Sequence, residues 1–153
     1  MAEVKFETIE QLRQKTGEEI AVGQWRPVTQ EQINLFAEAT GDYQWIHLDE
    51  KRAAAESPYG TTVAHGFLTL SMIPALMGET VQLPPAKMSV NYGLNRVRFP
   101  APVPAGSKIR PRVTLLSVED AEGGVQVNWR VMIEVEGSEK PACIAETISR
   151  NYF

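Results

Sequence analysis

Gly66-Phe67-Leu68-Thr69-Leu70-Ser71-Met72-Ile73-Pro74-Ala75-Leu76-Met77 is apolar on nearly every side when wound as a helix, and a helix of that kind is normally buried. Pro74 removes one backbone donor inside the run, so a kink or a shortened first segment is expected there. Gly78 is the natural stop. The second half of the chain supplies the cover. Val125, Val127, Trp129, Val131, Ile133 and Val135 alternate with Gln126, Asn128, Arg130, Met132 and Glu134, the period of a strand with one dry face. Ile109, Val113 and Leu115 repeat that period before it, with Pro111 expected on an edge or at a bulge. Ala142, Ile144 and Ile148 are expected to repeat it afterwards, with Glu146 as an exception. Met88–Phe99 reads as a further strand broken at Gly93, and the run 119–124 as a hairpin loop. Strands of this length twist and curve. The expected fold class is therefore α+β, a curved antiparallel sheet wrapped around a central buried helix.

Ahead of the apolar helix, a strand is expected around Ile20–Val28. Thr29 with Gln32 then makes a capping box that opens a helix with Ile33, Phe36 and Ala37 on its apolar face. Gly41 is placed to end it. Asp49 caps a short helix over 50–55, and Ser57-Pro58-Tyr59-Gly60 breaks it. With 153 residues, 43% of them hydrophobic, and no repeat or linker, the chain reads as one domain over residues 1–153.

A net charge of −4 argues against a nucleic-acid surface. No run approaches the roughly 20 apolar residues of a membrane span, and the stretch from Met1 to Glu10 lacks the apolar core of a secretory signal. The single cysteine, Cys143, suits a reducing compartment. The expected setting is the cytoplasm.

Both histidines, His47 and His65, fall between the two main helices, in the loop-rich stretch where binding groups concentrate. Asp42 and His47 lie five positions apart, and a sharp bend brings such side chains together. A histidine beside a carboxylate can take and return a proton near neutral pH. Spacing alone leaves two other readings open: turn chemistry for Asp42 and a buried hydrogen bond for His47. His65 reads as a core histidine donating to a carbonyl. Gly66 opens the apolar helix, where an unpaired N–H suits an anionic oxygen, although it equally just admits the chain under the sheet. Ser71 and Thr69 read first as back-bonded hydroxyls, and Tyr43 and Trp45 either line a pocket or pack as core aromatics. Arg96, Arg98, Lys108, Arg110 and Arg112 either meet carrier phosphates or belong to solvated strand faces. No close His or Cys spacing supports a metal, and no cofactor is implied.

Ala39-Thr40-Gly41-Asp42-Tyr43-Gln44-Trp45-Ile46-His47 followed by Ala64-His65-Gly66-Phe67-Leu68-Thr69 resembles the MaoC-like (R)-specific enoyl-CoA hydratases, and most closely their nodulation-protein-N-like branch. The segments 91–103 and 140–143 resemble that branch as well. The resemblance implies a hot-dog fold and a homodimer with an acyl-CoA, or acyl carrier protein thioester, near the subunit interface. It implies that Asp42 and His47 hold the water that adds across the double bond, and that the Gly66 N–H meets the thioester oxygen. Gln44 and Ser71 are the further substrate-side candidates. Where the commoner family pattern has Asn-Pro, this chain has Gln44-Trp45. The competing functions are a hot-dog thioesterase and a non-catalytic acyl-thioester-binding protein.

Overall fold

The computed structural model describes residues 3–153, so the reading of Met1 and Ala2 lies outside the described residues. In chain order the elements are β1 (Val4–Lys5), α1 (Ile9–Arg13), β2 (Glu19–Val22), β3 (Arg26–Pro27), α2 (Gln30–Thr40), α3 (Trp45–Leu48) and α4 (Glu50–Glu56). These are followed by α5 (Gly66–Ser71), α6 (Ile73–Gly78), β4 (Val81–Gln82), β5 (Met88–Arg98), β6 (Lys108–Ala121), β7 (Gly124–Val135) and β8 (Cys143–Tyr152). The main sheet is antiparallel in the order β2-β6-β7-β8-β5, with β3 also on β6; β1 and β4 form a small parallel pair. Every inward residue of β7 from Val125 to Val135 is buried, as its alternation requires. Across the strands, Val113 pairs with Val131 and Val131 with Ala145, and Ile73 and Leu76 of α6 belong to the same core cluster. This is the hot-dog arrangement, a curved sheet around a central helix.

That helix differs from the expectation in two ways. It is two short helices meeting at Met72, with Pro74 in the first turn of the second, where the missing N–H costs least. It is also open on one side: Leu68, Ile73 and Leu76 are buried, but Phe67 is 68% exposed and Pro74 and Ala75 face solvent. The apolar face turned away from this chain's own sheet is left uncovered.

Four strand expectations are corrected. The strand over 20–28 is two pieces, β2 and β3. Pro111 lies neither on an edge nor at a bulge but fully buried in β6, an interior strand. Its carbonyl accepts from the Gly23 N–H at 2.8 Å, so its lost donor points to the same side, where β2 and β3 are interrupted and no acceptor waits. Gly23 must be glycine at this gap, because a Cβ would stand 2.7 Å from the Pro111 ring. Gly93 does not break β5; the register shifts between Asn91 and Gly93, a bulge within a continuous strand. The core face of β8 carries Cys143, Ala145 and Asn151, not Ile144 and Ile148, which are half-buried opposite Met132 and Asn128.

Candidate active site

The helix α2 begins with the predicted capping box and ends at Gly41, whose φ of 79° is left-handed. That turn throws Asp42 clear of the helix end. The Asp42 carboxylate accepts from the Gln44 N–H at 3.3 Å, an Asx turn that sets the chain into the single turn of α3. His47 sits on the inner side of α3 and is buried. Its Nδ1 is 2.7 Å from the Val63 carbonyl. A carbonyl only accepts, so Nδ1 carries the hydrogen, and in the neutral ring Nε2 keeps its lone pair. The Gln30 side-chain amide donates to the His47 carbonyl at 2.8 Å and fixes α3 from behind.

His65 caps this group. Its Nε2 donates to the Asp42 backbone carbonyl at 3.1 Å, and its ring stacks on that of His47 with centroids 3.9 Å apart. Phe36 packs against its ring at 4.8 Å. The expected carbonyl donor is therefore found, but on the loop that carries Asp42. The His65 Nδ1 is buried without a partner. Burial is the main influence holding His47 below the ordinary histidine value; the neighbouring His65 adds to it, while the Val63 hydrogen bond and the Asp42 charge push the other way.

Gly66 is the first residue of α5, so its N–H has no acceptor within the helix. It shares a pocket of about 240 Å³ with His47, Tyr59 and Thr69, and the segment 99–103 forms the opposite wall. The Phe99 ring lies 3.2 Å from where a Cβ on Gly66 would stand. Asp42, His47 and His65 each bring a possible ligand atom within 4.8 Å of the others. One carboxylate and two imidazoles suit a transition metal chemically. The two rings, however, lie face to face at 25°, so the lone pairs in their planes run side by side and do not converge on one point. The grouping is better suited to moving a proton.

Gln44 and Ser71 are placed differently. The Gln44 side chain is exposed and makes no capping bond, while its carbonyl accepts from the His47 N–H. Ser71 donates back to the Phe67 carbonyl at 2.7 Å, as expected of a hydroxyl on a helix, and lines a second cavity of about 740 Å³ between α5–α6 and strands β5 and β8. Thr69, read as a back-bonded hydroxyl, lines the His47 pocket instead. Sequence reasoning missed Val63, Gln30 and Phe99. Val63 acts through its main chain, which no residue type reveals, and Gln30 looks like any polar residue in a first turn.

A family model described as MaoC like domain matches residues 11–136. The chain belongs to the MaoC-like domain family. Among curated MaoC-like relatives, it is 51% identical over 146 residues to 3-hydroxyacyl-thioester dehydratase Z of Mycobacterium tuberculosis, covering 95% of this chain and 96% of that one. It is 41% identical over 137 residues to nodulation protein N of Rhizobium leguminosarum, covering 88% and 85% respectively. A solved R-hydratase from Pseudomonas aeruginosa superposes with a TM-score of 0.68 at 22% identity, over 90% of this chain and 81% of that one, a likeness of fold.

Proposed function

We propose that this MaoC-like chain adds water reversibly to trans-2-enoyl thioesters, giving 3R-hydroxyacyl thioesters, with Asp42 and His47 as the acid/base pair. The observation that carries this reading is the meeting of a carboxylate and a buried imidazole beside the free Gly66 N–H. The dehydratase relative of M. tuberculosis supports the reaction class. A water held between His47 Nε2 and the Asp42 carboxylate loses a proton as its oxygen bonds to C3. The electron pair of the double bond moves toward the thioester oxygen, which the Gly66 N–H stabilises. The resulting enolate takes the proton at C2, so the elements of one water are added and nothing else is consumed. Dehydration is the reverse.

The larger cavity, walled by Leu70, Ile73, Met77 and Trp129, is apolar enough for the acyl chain, with Ser71 on its lining; Gln44 would orient the Asp42–His47 loop. The carrier is CoA or acyl carrier protein. One domain over residues 1–153, acting as a homodimer in the cytoplasm, completes the proposal. The long unpaired edge of β5 supports the dimer. Among the described residues, no helix is long and apolar enough to cross a membrane.

The test follows loss of the conjugated enoyl-thioester absorbance across a range of acyl lengths. Asp42→Asn and His47→Gln should each lower kcat by about 100-fold or more with unchanged far-UV circular dichroism. Full activity in either variant removes that residue from the chemistry. Release of free thiol from a saturated acyl-CoA, read with a thiol reagent, would point to thioester hydrolysis instead. The protein's own thiol does not disturb that assay, because burial pushes Cys143 up to about 11 and keeps it protonated.

A further inference from the structure

The arginines divide into two groups. Arg13, Arg26, Arg52, Arg110 and Arg112 each meet a carboxylate, and Arg150 lies over the Tyr92 ring at 3.6 Å. Arg96, Arg98 and Arg130 make no ion pair among the described residues, and these three line one cleft of about 290 Å³ with Ile144 and Glu146 on the outer face of the sheet. Glu146 stands opposite Arg130 on one side and Arg96 on the other, and still pairs with neither. Three guanidinium groups around one carboxylate leave an excess of positive charge in a chain whose net charge is −4. Arg96 and Arg98 on β5 and Arg130 on β7 flank β8, whose Glu146 can offset only one of the three positive charges, so the cleft keeps a surplus that an anion would balance. Arg98 spends one donor on the Val97 carbonyl at 2.7 Å; most of its fork remains free.

The position of the cleft is the second observation. Arg98 is followed directly by Phe99, whose ring covers Gly66 and which begins the wall of the His47 pocket. Arg96 and Arg98 thus stand at the end of β5 where the chain turns into that wall, with Arg130 of β7 facing them across β8.

We propose that Arg96, Arg98 and Arg130 seat a phosphate at the far end of the substrate's pantetheine arm. The inference rests on the acyl-thioester reading above. In both CoA and acyl carrier protein a pantetheine arm joins the thioester to a phosphate, and a guanidinium fork matches phosphate oxygens in shape and charge. Lys108, Arg110 and Arg112 are not part of this seat: Arg110 and Arg112 are held by Glu134 and Glu19, and Lys108 does not line the cleft.

The experiment compares one enoyl group on CoA, on acyl carrier protein and on N-acetylcysteamine, which has no phosphate, using the wild type and the triple variant Arg96→Gln, Arg98→Gln, Arg130→Gln. The expected result is a KM for the CoA thioester raised about tenfold or more, in line with several exposed ionic contacts, at nearly constant kcat. The kcat/KM for the N-acetylcysteamine thioester should not change. Added salt should weaken the wild type's preference for CoA but not the variant's. A KM effect confined to the acyl carrier protein substrate upholds the seat and assigns its phosphate to that carrier. An equal change on all three substrates, or none on either phosphate-bearing one, overturns the proposal, as does a loss that tracks a changed oligomeric state in light scattering. Should the wild type turn over no thioester, the hydratase reading fails separately. Calorimetric binding of CoA against phosphate-free pantetheine then decides the seat by itself. Single Arg98→Gln and Arg130→Gln variants give the same readout if the triple variant does not fold.

Discussion

His65 touches both members of the proposed catalytic pair: it donates to the Asp42 main chain and lies flat on the His47 ring. It is a positioning residue, and its two contacts can be separated. His65→Phe keeps a ring on His47 and loses the donor, whereas His65→Gln keeps a donor and loses the ring. Each should lower kcat on the order of 10- to 100-fold, the usual cost of misplacing a catalytic group by about an ångström, with KM little changed. Wild-type kcat in both variants would show that the pair stands without it. The lowered His47 pKa gives a second expectation. Of the groups around it, the Asp42 carboxylate raises its proton affinity and the neighbouring His65 reduces it, and burial outweighs both. The neutral, base-competent ring therefore persists to pH values below 6.5, and the acid limb of the hydration rate should lie there. The stability consequence has the same sign. Above pH 6.5 neither folded nor unfolded His47 holds the extra proton. As pH falls, the unfolded ring takes it up first and stability is lost toward the folded value. Thermal melts at pH 7.5 and 5.5 should show a larger acid loss for the wild type than for His47→Gln.

At the scale of elements, the site hangs on α2, because its C-terminal turn launches Asp42. Thr29 accepts from the Gln32 N–H and the Gln32 side chain returns the bond, so Thr29→Ala should cost about 1 kcal/mol, read as a lower denaturant midpoint at constant slope. Gly23→Ala should cost about 1–3 kcal/mol by overpacking, since the new methyl would meet the Pro111 ring and the Thr80 hydroxyl; an unchanged midpoint would mean that β2 and β3 shift freely. The capping box, the Gly41 stop, the Asp49 cap and the β7 alternation were all legible in the sequence because each is a local device with its own residue signature. The face of β8 was not. Its inward side is polar at Thr147, Ser149 and Asn151 where it lines the larger cavity, so counting apolar residues selects the wrong phase. Only pairing with β7, Val131 to Ala145, sets it. Asp42 and His47 were visible as residue types. Their meeting depends on His65 and on the Val63 carbonyl, which lie beyond the reach of spacing.

The whole molecule has one large unfinished surface. β5 runs for 11 residues with β8 on one side and, among the described residues, no strand on the other, and it exposes Met88, Tyr92 and Leu94. A long unpaired edge that is free of charge from Met88 to Leu94 invites association, and chains that remain monomeric blunt such edges with charge, proline or bulges; on β5 the charges, Arg96 and Arg98, are confined to one end. Here the bulges near Gly93 and Leu94 leave the edge in place. Antiparallel pairing of β5 with its copy would satisfy the open backbone groups of both through one self-complementary contact. It would also bring a second subunit toward the exposed side of α5 and α6, where Phe67 stands uncovered. Sedimentation should therefore give twice the 17.0 kDa chain mass, and the melting temperature should rise with protein concentration, as it does when folding and association are coupled. Leu94→Asp places a charge at the middle of that seam and should yield a monomer with a lower melting temperature. If the wild type sediments as a monomer at every concentration and Leu94→Asp melts like it, the edge is not an interface, and the active site must be complete within one chain.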